Sequence, residues 1–455
     1  MKNKKIVFIP VETISRELDY KIILGHQIAN SNTVCLIGQH NYLNKIFKYF
    51  DGGIYLGKNV IPDLLPCRLD YLEDLKKNNF SLYYYHEEGG VFKGDEDDWE
   101  LSLSRQIDPM MLDAEDCLLC WGAFQKEFYL QQKPKCKIEN VGVGRLDLEE
   151  ETCLRKLIHN FSEVNESNFI LINTNFAVVN HYLGFSEMLK FFADKSTHST
   201  SAYQSTLLWY SEVTKIMGSF LELIVQLASS NPDELFVLRP HPTESTKIYE
   251  EFAKNYKNIL ISKSSSSLDW INKSKAIIHN GCTTSLEAHF MKKPVINFSP
   301  FENKHSVKIL EEIGFKATSF EEVDEIIKDL DNFDFSSKDL ASSDASKLIN
   351  NFNQLNFSTN KIAKIVFQGL KSKKLNDINL NKLKLIYIKT YIRNCIALLP
   401  RRFFSSKQEA FEMHKSHFSG FDRNYIENRI NFLNHDKNSS IKLNILNDEL
   451  FLLGG

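Results

Sequence analysis

Along most of the chain, short apolar runs alternate with longer stretches in which apolar positions recur at helical spacing. That alternation predicts an α/β class with parallel sheets covered by helices, because strands buried on both faces read as continuous apolar runs. In the first half, strands are predicted at 6–11, 33–37, 81–85, 117–121 and 138–143. Residues 149–163 are rich in charge and carry no strand signal, which places a domain connection there. A second series follows, with strands at 169–173, 235–238, 259–261, 276–278 and 294–298. Helices are predicted at 210–229, 246–255 and 284–291, with closing helices from 321. The Ser- and Thr-rich stretch 194–204 reads as a mobile loop. The division that results is 1–155, 156–370 and a basic, mainly helical tail at 371–455. The halves share an architecture and no sequence repeat.

The 455 residues suffice for two such domains and a tail. A formal net charge of −3 supplies no global field that would favour nucleic acid. Of eight scattered cysteines, only Cys117 and Cys120 have metal or redox spacing. No second Cys or His pair lies near them, so they read as two half-buried thiols in a strand. Residues 1–11 have a short basic lead and a short apolar run, which suits a first buried strand and not a secretory signal. No apolar stretch approaches the roughly 20 residues of a membrane span. A cytoplasmic protein is expected, in solution or peripheral to a membrane.

From residue 371 onward, Lys371, Lys373, Lys374, Lys382, Lys384, Lys389, Arg393, Arg401 and Arg402 crowd a stretch with few acids. Wound as a helix, 380–399 groups Leu385, Ile388, Ile392, Cys395, Ile396 and Leu399 on one side, with Lys382, Lys389 and Arg393 on its flank. Two readings stand. Such a helix can lie on the anionic inner face of the cytoplasmic membrane through 380–402, or it can pack on its own protein with a solvated basic edge.

Three stretches carry candidate chemistry, each at the end of a predicted strand, where open α/β sheets bind ligands. In Arg239-Pro240-His241-Pro242-Thr243-Glu244 the prolines fix φ and remove backbone donors, so the loop holds one shape. Arg239 can fork onto phosphate oxygens, and His241 can donate a hydrogen bond or a proton to them. A merely structural turn is the alternative. In His279-Asn280-Gly281-Cys282-Thr283-Thr284-Ser285-Leu286-Glu287, Gly281 permits a tight turn. Thr283, Thr284 and Ser285 then offer hydroxyls and N–H groups at a helix start, which favours anions but equally suits a plain N-cap. Glu287, in the first helical turn, is placed for a ribose hydroxyl. In Tyr85-His86-Glu87-Glu88-Gly89-Gly90 a carboxylate at a strand-to-loop junction can take a proton from an acceptor hydroxyl, although Glu-Glu-Gly also occurs in ordinary turns. The acidic run 95–98 reads as a solvated loop. Together the first two loops are expected to grip a phosphate or diphosphate and its nucleoside, with Arg239, Pro242, Glu244, His279, Asn280, Gly281, Thr283, Thr284, Ser285 and Glu287 as the nucleotide site.

With these motifs in this order, the chain resembles bacterial surface-carbohydrate biosynthesis proteins, a group with the two-Rossmann-domain GT-B fold, up to residue 370. Its motifs are also similar to those of bacterial GT-B sialyltransferases and Kdo transferases. Those enzymes share an acidic pair before glycine, a His-Pro pair and a hydroxyl pair at a helix start. The resemblance implies Glu87 or Glu88 as general base on the acceptor and His241 at the CMP phosphate of the donor. It also implies that Thr283 and Thr284, with Ser285 adjacent, hold the same phosphate. Residues 170–176 look like the first donor-domain strand and loop of the surface-carbohydrate group. Asn173 and Asn175 stand there where a retaining Kdo transferase is expected to carry a carboxylate nucleophile, which argues for inversion. Residues 143–147 look like a Gly-Asn-Pro-Arg-type loop without its Asn-Pro.

The expected function is transfer of a nonulosonic or Kdo-like sugar from a CMP-sugar to a glycan or lipid-linked acceptor in capsule or lipopolysaccharide synthesis. No cofactor or metal is expected, since no Asp-x-Asp stands at a strand end in the donor half and cationic side chains can stabilise the leaving phosphate. The alternatives are a non-hydrolysing UDP-sugar 2-epimerase, a CDP-polyol phosphotransferase, or a non-catalytic assembly scaffold.

Overall fold

The structure, a computed structural model, describes residues 1–60, 71–87, 90–184, 200–301, 306–333, 335, 343–353, 357–398 and 418–455. Glu88, residues 194–199 of the predicted mobile loop, and 399–402 of the predicted membrane contact lie outside the described residues.

Two sheets organise the chain. The first has the order β13-β14-β2-β1-β3-β4-β5-β6. Six of its strands are parallel and come from the first third of the sequence: β1 (Lys5–Val11), β2 (Thr33–Gln39), β3 (Gly53–Leu56), β4 (Phe80–Tyr85), β5 (Cys117–Cys120) and β6 (Lys137–Asn140). The other two are a C-terminal hairpin, β13 (Lys442–Asn447) and β14 (Leu450–Gly454), whose second strand lies antiparallel to β2. The second sheet is all parallel, in the order β12-β11-β10-β7-β8-β9. Its strands are β7 (Phe169–Asn173), β8 (Phe236–Arg239), β9 (Ile259–Ile261), β10 (Ser274–His279), β11 (Val295–Phe298) and β12 (Phe315–Ala317). Strand order reverses between β7 and β10, as in a doubly wound nucleotide-binding fold. Two Rossmann-like domains of this kind make the expected GT-B architecture.

The apolar runs form strands because both of their faces are covered. In the second sheet, Ile170, Ile172, Phe236, Leu238, Ile278 and Ile296 pack with Phe220, Leu223, Ile224 and Leu227 of the helix Thr200–Ser230. The alternate residues Leu171, Val237, Ile277 and Val295 belong to a cluster that runs on into the first domain. That helix also takes in 200–204, so the described end of the predicted mobile loop is helical.

Two expectations are corrected. The acidic run is no loop: Asp95 caps the helix Glu96–Ser104 through a capping box with Asp98, and the acids sit where the helix dipole favours them. The boundary at 370 does not separate domains, because chain from 344 onward returns to the first one. There Asn350 N–H donates to the Trp121 carbonyl at 2.8 Å, and buried Asp147 accepts the N–H groups of Ser358 and Thr359, each at 2.9 Å, at the start of the helix Ser358–Leu370. The tail carries the helices Leu380–Leu398 and Arg423–Asp436 and ends in the hairpin that extends the first sheet.

Candidate active site

At the carboxyl end of the second sheet, the register puts one polar residue on each of four neighbouring strands. Arg239 pairs with Asn173, Asn173 with His279, and His279 with Asn297. Residues in register point to one face, so the four make a polar rung. The rung before it on that face is Val237, Leu171, Ile277 and Val295, all apolar and buried. Asn173 and His279 stand on the two strands between which the order reverses, the place where such sheets bind ligands.

The rung is only partly satisfied from within. Arg239 donates to the carbonyls of Ser264 and Ser265 at 2.6 and 2.7 Å, and burial pulls its pKa down to about 10. Asn173 donates to Thr284 Oγ1 at 2.9 Å. His279 Nδ1 accepts the Cys282 N–H at 3.2 Å. Burial holds this imidazole neutral, with its pKa lowered to about 3, so Nε2 carries the ring proton. Asn173 Oδ1, His279 Nε2, Asn280 Oδ1 and Asn297 Nδ2 are buried with no hydrogen-bond partner among the described residues. Folded interiors leave few such atoms. All four stand at or just past the carboxyl ends of neighbouring strands, and Asn280 and Asn297 also line a cavity. Beside them Gly281 has φ +69°, and a Cβ added there would meet nothing within 4 Å. The turn thus needs glycine for its backbone and opens onto free space.

Several predicted ligands turn inward instead. Glu244 is 1% exposed. Its carboxylate accepts the N–H groups of Phe176 (2.8 Å) and His241 (3.2 Å) and the hydroxyls of Thr174 (2.9 Å) and Tyr249 (2.5 Å). It therefore ties the loop after β7 to the loop after β8, and no oxygen is left for a nucleotide. Ser285 is fully buried and donates to the Cys282 carbonyl at 2.8 Å. Glu287 accepts the Ser267 hydroxyl at 2.9 Å and forms a buried ion pair at 3.3 Å with Arg145 of the first domain. This pair is what the loop at 143–147 contributes, and it takes the carboxylate away from a ribose. Thr284 is bonded to Asn173 and Cys282, while Thr283 is half-buried and makes no capping bond. The helix Thr284–Phe290 has only seven residues. His241 is half-buried, with Nδ1 3.3 Å from the Thr243 N–H and 3.0 Å from the Thr243 hydroxyl. Pro242 and Asn175 are exposed.

In the first domain the candidate base has a different arrangement from the one expected. Glu87 is not an open carboxylate but is 6% exposed. Both its oxygens lie 2.5 Å from the Tyr20 hydroxyl, and Lys21 Nζ is 2.7 Å from Oε1. Lys21 also meets Glu17 at 2.7 Å and donates to the Pro10 carbonyl at 2.6 Å. Burial opposes the charge on Glu17, but Lys21 and Arg16 outweigh it and hold the carboxyl at about 2. Between the domains lies a cavity of about 280 Å³ lined by Asn175, Trp209, Val213, Ile216, Asn280, Gly281, Asn297, Ser299 and, from the first domain, Lys93. The Lys93 ammonium sits 4.2 Å from the Trp209 ring centroid, and burial lowers its pKa.

Sequence reasoning missed Tyr20, Lys21, Lys93 and Asn297. Asn297 had a signal, a lone amide near the end of the apolar run 294–298. Lys93 had none, since only the meeting of two domains brings it to the rim. A larger cavity of about 360 Å³ between the helices Ile14–Ile28 and Ser358–Leu370 holds none of the rim residues.

No protein-family model matches the chain, and no curated protein matches its sequence. Among solved structures it is similar to a UDP-GlcNAc 2-epimerase of Methanocaldococcus jannaschii in complex with UDP-GlcNAc and UDP, at 13% identity and TM-score 0.45, over 80% of this chain and 99% of that one. A putative UDP-N-acetylglucosamine 2-epimerase of Listeria monocytogenes gives 13% identity and TM-score 0.46, over 82% and 98%. The wall teichoic acid polymerase TagF gives 11% identity and TM-score 0.40, over 81% and 89%.

Proposed function

We propose that this protein is an enzyme acting on a nucleotide-activated sugar or polyol, with the nucleotide at the C-terminal rim of the second sheet and the reacting phosphate in the cleft between the domains. The observation that carries this reading is the polar rung at the point where strand order reverses. Its unpartnered atoms are neutral donors and acceptors, which suit the hydroxyl and amide groups of a nucleoside or sugar better than they suit a bare anion. The cations that suit phosphate stand on either side, Arg239 on the rung and Lys93 across the cavity. His241 is a candidate hydrogen-bond donor to a departing phosphate.

Among the finer readings, CMP-sugar transfer to a surface glycan loses much of its residue support. Ser285, Glu287 and Glu244 are engaged inside the protein, and Glu87 is paired with Lys21. A nucleoside diphosphate reaching from the rim towards Lys93 fits the arrangement better. That brings forward a UDP-sugar 2-epimerase or a CDP-polyol phosphotransferase.

Calorimetry with CMP, CDP, UDP and GDP tests both levels, on wild type, His241→Ala and Lys93→Ala. The diphosphates are expected to bind more tightly than CMP, and Lys93→Ala to weaken them about tenfold while leaving CMP alone. Tight binding of CMP only would return the CMP-sugar reading to the front. Binding of none of the four would sink the nucleotide site and favour the scaffold. With a bound nucleotide identified, epimerisation without an acceptor separates the epimerase from polyol phosphate transfer. His241→Ala should abolish turnover in a folded protein, and retained activity would remove the role given to His241.

A further inference from the structure

The helix Leu380–Leu398 is held to the first domain along one face. Leu383 is 2% exposed, and Ile386 and Tyr387 pack against the core. Tyr387 meets the Tyr42 ring edge-on at 5.7 Å and donates to Asp448 at 2.6 Å, while the Tyr42 hydroxyl donates to the Leu383 carbonyl at 3.1 Å. At about 100° per residue, Leu385 and Ile388 fall on the opposite side, and they are 59% and 50% exposed. A helix simply packed on its own protein would have turned this stripe inward. In its described part the stripe faces out.

Lysines border it on both flanks. Lys382 and Lys389 lie along one edge and Lys384 along the other, all three exposed and without an ion-pair partner among the described residues. The cationic border continues onto the first domain, where Lys382 and Lys48 lie 5.0 and 5.6 Å from the ring centroid of half-exposed Tyr49. No acid stands between 378 and 398. The nearby Asp377 accepts the Asn3 N–H, and Asp448 accepts from Tyr387. In a chain of net charge −3, this is a local cationic surface with an apolar centre.

We propose that this face seats the protein on an anionic phospholipid surface. The helix lies in the plane of the interface, Leu385 and Ile388 enter the boundary between headgroups and acyl chains, and the lysines meet lipid phosphates. Charge complementarity selects this occupant. A second copy placed face to face would bring lysines against lysines, and a nucleic acid would leave the apolar centre uncovered. The proposal does not depend on what binds in the cleft.

The test is co-sedimentation of the full chain with vesicles of equimolar phosphatidylglycerol and phosphatidylcholine, and with phosphatidylcholine alone. Wild type is expected to sediment with the first and not the second, and to be released by salt. Replacing Lys382, Lys384 and Lys389 together by Gln should weaken binding on the order of 100-fold. A Leu385→Ser, Ile388→Ser variant should also lose binding, with unchanged circular dichroism and nucleotide affinity in both. No sedimentation of wild type, or equal sedimentation of wild type and both variants, overturns the proposal. So does a wild-type dimer that binds no vesicles and falls apart in the Leu385→Ser, Ile388→Ser variant, which would assign the face to a second copy.

Discussion

Glu244 and His279 show how single side chains set the shape of the rim. Glu244 gathers donors from Thr174, Phe176, His241 and Tyr249, so it fixes two loops that share no strand. Glu244→Gln replaces an acceptor-only group with one that must donate. The expected loss is about 1.5–3 kcal/mol of stability by chemical denaturation, together with weaker nucleotide binding. Tyr249→Phe, which removes one donor, should cost less. His279 predicts a pH dependence. Its imidazole takes up a proton near 6.5 when unfolded and only near 3 when folded, so the unfolded state binds more protons in between. The stabilisation is full above pH 6.5 and is lost as pH falls towards 3, at up to about 1.4 kcal/mol per pH unit. Glu17, held at about 2 against an ordinary 4.5, adds loss in the same direction over the lower part of that range. His279→Asn should flatten the profile from pH 6.5 downward, though not to zero, since burial also depresses His26, His181 and His289.

Elements are fixed by what they bury. The helix Thr200–Ser230 presents Val213, Ile216, Met217, Phe220, Ile224 and Leu227 at helical spacing to the second sheet. Phe220 sits edge-on to both Phe176 and Phe298 at 5.3 Å and is fully buried. Phe220→Ala should therefore cost about 3–5 kcal/mol, seen as a lower denaturant midpoint with an unchanged slope. At the other end of the chain, Leu450, Phe451, Leu452 and Leu453 are all fully buried against β2. A chain ending at Lys437 would expose β2 as an apolar edge strand. The expected outcome is aggregation or loss of the first domain's thermal transition, and a soluble truncated protein with the wild-type transition would refute it.

The two domains are joined by buried polarity as well as by chain crossings. Arg145 and Glu287 come from different domains, and their side chains are 7% and 5% exposed. Removing either partner leaves a buried charge alone, so Arg145→Met or Glu287→Met should each cost about 3–5 kcal/mol, and the double variant less than the sum. A double-mutant cycle by denaturation measures the coupling, and strict additivity would mean that the pair does not link the domains. Such a link also explains how Lys93, on a first-domain loop, comes to line a cavity with Asn280 and Asn297.

The sequence alone determined the two series of strands, the strand-end position of both candidate loops, and the need for glycine at 281, because burial on two faces and left-handed backbone leave marks in local pattern. It did not reveal β3 between Gly52 and Gly57, or β12, whose Phe315 and Lys316 are exposed, since three or four residues carry too little periodicity. Tertiary structure decided which polar side chains face the cleft. Glu244, Ser285, Glu287 and Glu87 each find partners far away in sequence or on the far side of a turn, and a carboxylate or hydroxyl with an internal partner looks the same in one dimension as one kept for a ligand. It also decided the outward turn of Leu385 and Ile388. Helical spacing groups residues on a face, but only the neighbours Tyr42 and Asp448 determine which face is covered.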